Sequence, residues 1–125
     1  MNHIAYSISA YQAAKRTAPP LTAVVMLYDE ILKRIALAAA AARAKDYETQ
    51  FNEAMYAAKI INGLDACLDM DRGGTVAMSL REMYKAVVHA LLGTVGRKSG
   101  AQACDRLGEA VRLTRDAWAE IAGMS

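Results

Sequence analysis

The residues of this chain that could carry out chemistry are two histidines, two cysteines and a few neighbouring aspartates. A di-iron site in a helical bundle needs inward glutamates and Glu-x-x-His pairs. The residue three positions before His89 is Ala86, and His3 lies near the start of the chain. Cys67 and Cys104 have neither CxxC spacing nor a companion histidine cluster, so we interpret them as reduced cysteines within helices. We therefore predict no metal site and no cofactor.

Two short segments have the residue types of ligand-binding loops but not their spacing. The segment 93–99, GTVGRKS, departs from the GxxxxGK[ST] phosphate loop, and a helical pattern rather than a strand precedes it. Asp65, Asp69 and Asp71 are not followed by the calcium-loop pattern that ends in Glu. The sequence also has no GxSxG nucleophile motif. We therefore predict that the chain is not an enzyme, has no catalytic residues and takes no small-molecule substrate.

The composition favours helices, and the charges are nearly balanced. The 125 residues are 54% hydrophobic and 6% aromatic, which excludes a disordered chain and argues against β-sandwiches and barrels. Fifteen Lys and Arg against thirteen Asp and Glu give a net charge of +2 without a basic stripe, so we expect no nucleic-acid partner. There is no apolar run that could span a membrane and no signal peptide at the N-terminus. We expect a cytoplasmic protein without a membrane partner.

The hydrophobic periodicity predicts four helices in a single domain over residues 1–125. They are expected at about 20–44, 47–69, 75–96 and 100–122, after an N-terminal segment at 1–18. Short loops between helices of similar length predict an all-α fold, an antiparallel up-down four-helix bundle with a short helical or extended N-terminal cap. Asp46 is predicted to cap the second helix, Gly73-Gly74 to end a turn, and Ser99 with Gln102 to form a capping box.

The helices carry more hydrophobic surface than one seam of a bundle needs. Met26 and Leu27 lie outside the main stripe of the first helix, and the third helix is apolar over a broad arc. Either the core contact is wide, or the bundle exposes an apolar groove for a partner helix or an unfolded segment. If there is a groove, its predicted residues are Leu21, Met26, Leu27, Met55, Val76, Leu80, Met83, Val87 and Leu91. Ile4, Ile8 and Tyr11 have near-helical spacing, so the N-terminal segment could cover such a groove.

An ordered set of short motifs extends over nearly the whole chain. These are Thr17-Ala18-Pro19-Pro20, Met26-Leu27-Tyr28-Asp29, Ile60-Ile61-Asn62, Leu68-Asp69 with Gly73-Gly74, Leu80-x-x-Met83-Tyr84 and Ala117-Trp118-x-x-Ile121. In this order and spacing the chain resembles the flagellar export chaperone family, FliS. One departure is Pro19, which stands where the family usually has the serine of Thr-Ala-Ser-Pro.

The resemblance implies a four-helix antiparallel bundle with an N-terminal cap, in which Tyr6 matches the tyrosine of that cap. It also implies a chaperone that binds the disordered C-terminal segment of flagellin in the cytosol, prevents premature polymerisation and delivers flagellin to the flagellar type III export apparatus. Export-gate or regulatory proteins are further implied partners, and no cofactor is needed.

Two other functions remain open from the sequence. The chain could be a helical adaptor that binds another secretion or regulatory partner through the same apolar groove. It could also be a helical enzyme that holds a small anion with Arg and Lys, which would require a polar pocket lined by several basic residues.

Overall fold

The chain folds into four long helices, as a computed structural model describes for residues 20–124. The helices are α1 (Leu21–Arg43), α2 (Tyr47–Ala66), α3 (Met70–Gly93) and α4 (Gly100–Ala122). Short connections reverse the chain between consecutive helices, and α1 also packs against α4. The predicted all-α four-helix bundle is therefore confirmed. The predicted cap segment, with Ile4, Tyr6, Ile8 and Tyr11, lies outside the described residues.

Helix α1 is the helix around which the bundle is built, because it packs closely against both α2 and α4. Its buried stripe begins with large residues, among them Val24, Tyr28 and Ile35, and continues into alanines at its C-terminal half. Ala38 and Ala39 are 0% and 2% exposed. Small side chains at these positions let the neighbouring helices approach closely, which agrees with the alanine-rich pattern of the sequence.

The start of α2 is fixed by the side chain of Asp46, as the sequence predicts. Its Oδ1 accepts a hydrogen bond from the Thr49 amide at 3.1 Å, and its Oδ2 accepts one from the Thr49 hydroxyl at 2.7 Å. These two hydrogen bonds, the hydroxyl first, lower the pKa of the Asp46 carboxyl. The capping box predicted for α4 is wrong, since the Ser99 side chain makes no capping hydrogen bond.

Helix α3 begins earlier than the sequence predicts. Asp69 Oδ1 accepts hydrogen bonds from the amides of Asp71 and Arg72 at 3.0 and 3.1 Å, so the helix starts at Met70 rather than near residue 75. The break expected at the two glycines is instead a kink at Gly74, whose φ of 55° and ψ of −133° interrupt the helix. Helices α2 and α3 also end three residues before their predicted limits, at Ala66 and Gly93.

Substitutions at two glycines are expected to have opposite effects on stability. A Cβ at Gly63, in the exposed face of α2, would meet no atom within 4 Å, so we expect Gly63→Ala to raise the free energy of unfolding by about 0.5–1 kcal/mol. At Gly74 the space is equally open but φ is positive, so Gly74→Ala should lower the free energy of unfolding by about 1–3 kcal/mol. Urea denaturation followed by circular dichroism measures both values. Equal effects of the two substitutions would contradict the assigned backbone geometry.

Three aromatic residues from three helices meet in the core. The hydroxyl groups of Tyr28 on α1 and Tyr84 on α3 are hydrogen-bonded at 2.7 Å, and both residues are buried. The Tyr28 ring lies 6.3 Å from the Trp118 ring of α4, at an angle of 49°. Burial raises the pKa of Tyr28 to about 12, although hydrogen bonds with Tyr84 and Trp118 oppose that shift. The Tyr28–Tyr84 bond links α1 to α3 across the bundle.

The raised pKa of Tyr28 predicts a loss of stability at high pH. Between pH 10 and 12 the unfolded chain releases the Tyr28 proton while the folded protein retains it, so the free energy of unfolding falls as pH rises. Below pH 10 both states keep the proton, and this group adds no pH dependence. The slope approaches a loss of about 1.4 kcal/mol per pH unit.

The measurement compares urea denaturation of the wild-type chain and Tyr28→Phe from below pH 10 to pH 12. Titrating groups other than the hydrogen-bonded partner Tyr84 keep the same surroundings in both chains, so the difference between the two curves reports on the Tyr28–Tyr84 pair. If the two curves run parallel over this range, the predicted linkage is wrong.

The α3–α4 connection is held against the start of α2 by one buried amide. Gln50 is 0% exposed, and its Nε2 donates to the Thr94 carbonyl oxygen and hydroxyl, each at 3.2 Å. Its Oε1 accepts from the Gly96 amide at 3.4 Å. A Cβ at Gly100 would lie 2.5 Å from the Thr94 carbonyl oxygen, so only glycine fits where α4 begins. This polar cluster sets the position of the loop relative to α2.

Candidate protein-binding groove

The four seams between neighbouring helices are not equally closed. Arg115 on α4 pairs with Asp29 on α1 at 2.7 Å, and Arg43 on α1 pairs with Asp105 on α4. Arg81 on α3 pairs with Asp65 on α2 at 3.0 Å. By contrast, α3 and α4 approach each other over the shortest stretch of the four neighbouring pairs. Among the helices of residues 20–124, the α3–α4 seam is therefore the least closely packed.

Arg34 of α1 closes the remaining seam, between α1 and α2. Its guanidinium pairs with Glu53 of α2 at 3.0 Å and with Glu30 at 2.7 Å. The same group lies over the Tyr56 ring, 3.9 Å from the ring centroid. A planar cation held by two carboxylates and an aromatic face is a well-directed contact between helices.

Helical periodicity identifies the residues that line the α3–α4 seam. On α4, Arg115 and Asp105 face α1, so the residues between a third and a half of a turn further round face α3. On α3, Arg81 faces α2, which directs the opposite side of that helix toward α4. We call this surface the seam groove. Its lining residues, most of them half-buried, are Val76, Met83 and Ala90 on α3 and Ala103, Leu107, Ala110, Thr114, Ala117 and Ile121 on α4.

The seam groove is apolar along its length and becomes polar near the α3–α4 connection. Met83, Leu107 and Ile121 pack partly against the core and leave the rest of their surface open. At the loop end, a depression of about 300 Å³ is bordered by His89, Arg97 and Ser99. A strip of half-buried apolar side chains between two helices suits an amphipathic helix, whose apolar residues would complete the packing. Met83 adds an adaptable contact surface.

Three of the predicted groove residues belong to the core instead. Leu80 and Val87 are 7% and 6% exposed, and Leu91 is 0% exposed. They lie on the same broad apolar arc of α3 as Val76 and Met83, but on the part of it that points into the bundle. The prediction that these three line an open surface is therefore wrong, whereas Val76 and Met83 lie at the seam.

The other predicted groove residues lie away from this seam. Leu21 and Leu27 pack partly against the core. Met26 is 64% exposed on the outer face of α1, and Met55 is half-buried on α2. Met55 belongs to a second, shallow apolar depression of about 560 Å³, formed by side chains of α2 alone: Phe51, Asn52, Met55, Tyr56, Lys59 and Ile60. The structure therefore divides the predicted groove between separate faces.

The α4 side of the seam groove was missed from the sequence. Leu107 and Ile121 fall on the same helical stripe as the buried Cys104 and Trp118, so the spacing alone does not separate them from the core. The sequence feature that could have identified this side of α4 is the seven-residue spacing of Ala103, Ala110 and Ala117. This spacing keeps small side chains along one side of a helix, so that a partner helix can come close.

The described residues show no grouping of three or more His, Cys, Asp or Glu side chains that could hold a metal ion. None of the helices between residues 20 and 124 contains an apolar stretch long enough to cross a bilayer.

The described residues form a four-helix bundle with an apolar surface along one of its seams. The model of one family, described as flagellar protein FliS, matches residues 1–125. The match covers the whole chain, and the chain therefore belongs to the FliS family, whose members are flagellar export chaperones and not enzymes. Among curated proteins no match was found.

Proposed function

We propose that this chain binds the disordered C-terminal segment of flagellin in the seam groove. Binding there prevents flagellin from polymerising in the cytoplasm and keeps it in a form that the type III export apparatus can receive. The observation that carries the proposal is the open α3–α4 seam with its aliphatic lining, in a chain of the FliS family. No covalent chemistry is required for this function.

The dimensions of the groove suit a short helix of the client. From Val76 to Ala90 the α3 side extends about 21 Å, at about 1.5 Å per residue, which matches a client helix of about fourteen residues. A disordered segment that folds on binding buries on the order of 1,000–3,000 Å², and its ordering costs about 2–5 kcal/mol. A longer part of the segment must therefore lie on other surfaces of the bundle. The apolar depression on α2 is available for this.

The test is binding of a synthetic peptide with the sequence of flagellin's C-terminal segment. Isothermal titration calorimetry and light scattering on the eluted complex are expected to give a one-to-one complex with submicromolar affinity. The control peptide has its apolar residues replaced by serine and should not bind. No binding of the natural sequence at tens of micromolar would contradict the proposal.

Delivery to the export apparatus is the second part of the proposal. If the chaperone presents flagellin to the export gate, the complex should bind the soluble domain of a gate protein more tightly than either component alone does. If the gate domain binds flagellin equally well without the chaperone, the proposed role in delivery is wrong. The proposed protective role would not be affected by that result.

A further inference from the structure

A cleft with four basic side chains lies at the end of the bundle where α1 ends and α4 begins. Arg43 and Lys45 come from the end of α1 and its connection to α2, and Arg97 and Lys98 come from the α3–α4 connection. We call this the basic cleft. Its volume is about 460 Å³, and its walls are completed by Ala42, Tyr47, Gly96, Ala101 and Gln102.

The fold brings these cations together from two loops that are about fifty residues apart in the sequence. The hydrogen bonds of Gln50 to Thr94 and Gly96 hold the second loop against the start of α2. Lys45 has a φ of 58°, which turns the chain sharply into the Asp46 cap. The cleft is therefore a fixed part of the fold, formed by backbone that is hydrogen-bonded on both sides.

Most of the positive charge in the basic cleft is not neutralised by the protein. Arg43 pairs with Asp105, but within residues 20–124 Lys45, Arg97 and Lys98 form no ion pair. All three side chains are exposed. Three cations on the walls of a concave surface raise the local concentration of anions and favour their binding.

We propose that the basic cleft binds an acidic segment of a partner polypeptide, with its carboxylates on Lys45, Arg97 and Lys98. A single phosphate ion would fill only a small part of 460 Å³. The exposed ring of Tyr47 and the neighbouring alanines add apolar contacts that suit the side chains of a peptide.

The charges around the basic cleft disfavour a nucleic acid as its occupant. Asp46 and Glu48 follow Lys45 in the chain, and Asp105 lies beside Arg43. These acidic residues end the positive region within a short distance, whereas a nucleic-acid backbone needs an extended basic track. The cleft does not use the aliphatic lining of the seam groove, although Arg97 also borders the polar depression at the loop end of that groove.

The test uses a fluorescein-labelled hexaglutamate peptide and fluorescence anisotropy, starting at an ionic strength of about 0.1 M, where the Debye length is about 10 Å. We expect saturable binding that weakens as salt is added, and a loss of at least about tenfold in affinity for the double variant Arg97→Glu/Lys98→Glu. The matched control is Lys59→Glu/Arg112→Glu, which changes the net charge equally. Each control site lies twelve residues, or about 18 Å, along its helix from the helix end that borders the basic cleft. The control variant should therefore lose less than about twofold in affinity for the peptide.

Circular dichroism verifies that both double variants are folded, and Arg97→Gln/Lys98→Gln repeats the test with smaller charge changes. Equal losses in the cleft and control variants would show that net charge alone attracts the peptide, and the proposal would be wrong. Tighter binding of a labelled oligonucleotide than of hexaglutamate, or displacement of the peptide by millimolar inorganic phosphate, would also overturn it.

Discussion

Replacing Ala110 with glutamate is expected to weaken binding of flagellin's C-terminal peptide by at least about 100-fold, or about 2.7 kcal/mol. Ala110 is exposed and lies on the α3-facing side of α4, in the middle of the seam groove. A carboxylate there would have to lose water against the apolar face of the client without gaining a cation. Because Ala110 is outside the core, the bundle itself should keep its stability. Calorimetric titration of the peptide gives the affinity.

The matched control for this prediction is Ala36→Glu on α1. Ala36 is exposed, and α1 does not border the seam groove, so the variant makes the same substitution away from the proposed site. Its effect on affinity should be less than about twofold. Phe51→Glu tests the second apolar depression in the same way. If Phe51→Glu abolishes binding and Ala110→Glu does not, the client occupies α2 and the seam groove is the wrong surface.

Replacing Gln50 with leucine is expected to lower the free energy of unfolding by about 2–3 kcal/mol. The substitution keeps the approximate volume but removes both donors to Thr94 and the acceptor of the Gly96 amide. The Thr94 hydroxyl still donates to the Leu91 carbonyl oxygen at 2.7 Å. The loss of stability therefore comes mainly from the contact between the α3–α4 connection and α2. Urea denaturation followed by circular dichroism measures the change.

Gln102→Leu is the matched control, because Gln102 is an exposed glutamine at the same end of the bundle. It should change stability by less than about 0.5 kcal/mol. A double-mutant cycle of Gln50→Leu with Thr94→Val should show coupling of at least about 0.5 kcal/mol. Additive effects of these two substitutions would mean that the amide does not act through the Thr94 hydroxyl.

The fold was predictable from the sequence because each helix buries a stripe with a regular period. Tyr28, Ile31 and Ile35 fall on the expected face of α1, and Asp46 is followed at the correct spacing by Thr49, whose amide it caps. The sequence pattern gave a wrong prediction for one helix boundary, the start of α3. Two adjacent glycines predict a turn, but the Asp69 cap starts a helix before them, and only Gly74 leaves the helical conformation.

The seam groove was less predictable, since periodicity identifies the face of a helix but not the width of the gap in front of it. Leu80 and Met83 lie on the same apolar arc of α3, yet one is buried and the other borders the seam. Which of them is exposed depends on how far α4 lies from α3, a property of all four helices together. The basic cleft has the same origin, because its cations come from two loops that only the folded chain brings together.

The close packing of α1 against α4 has a consequence for how the chain folds during its synthesis. The Asp29–Arg115 pair joins residues 86 positions apart. Helix α1 therefore cannot complete its packing until α4, the last of the four helices, has been synthesised. Until α4 has left the ribosome, the nascent chain lacks one wall of its core and exposes the apolar stripe of α1. The bundle is thus expected to close late, in a step that depends on contacts between distant parts of the chain and is slower than the formation of its helices.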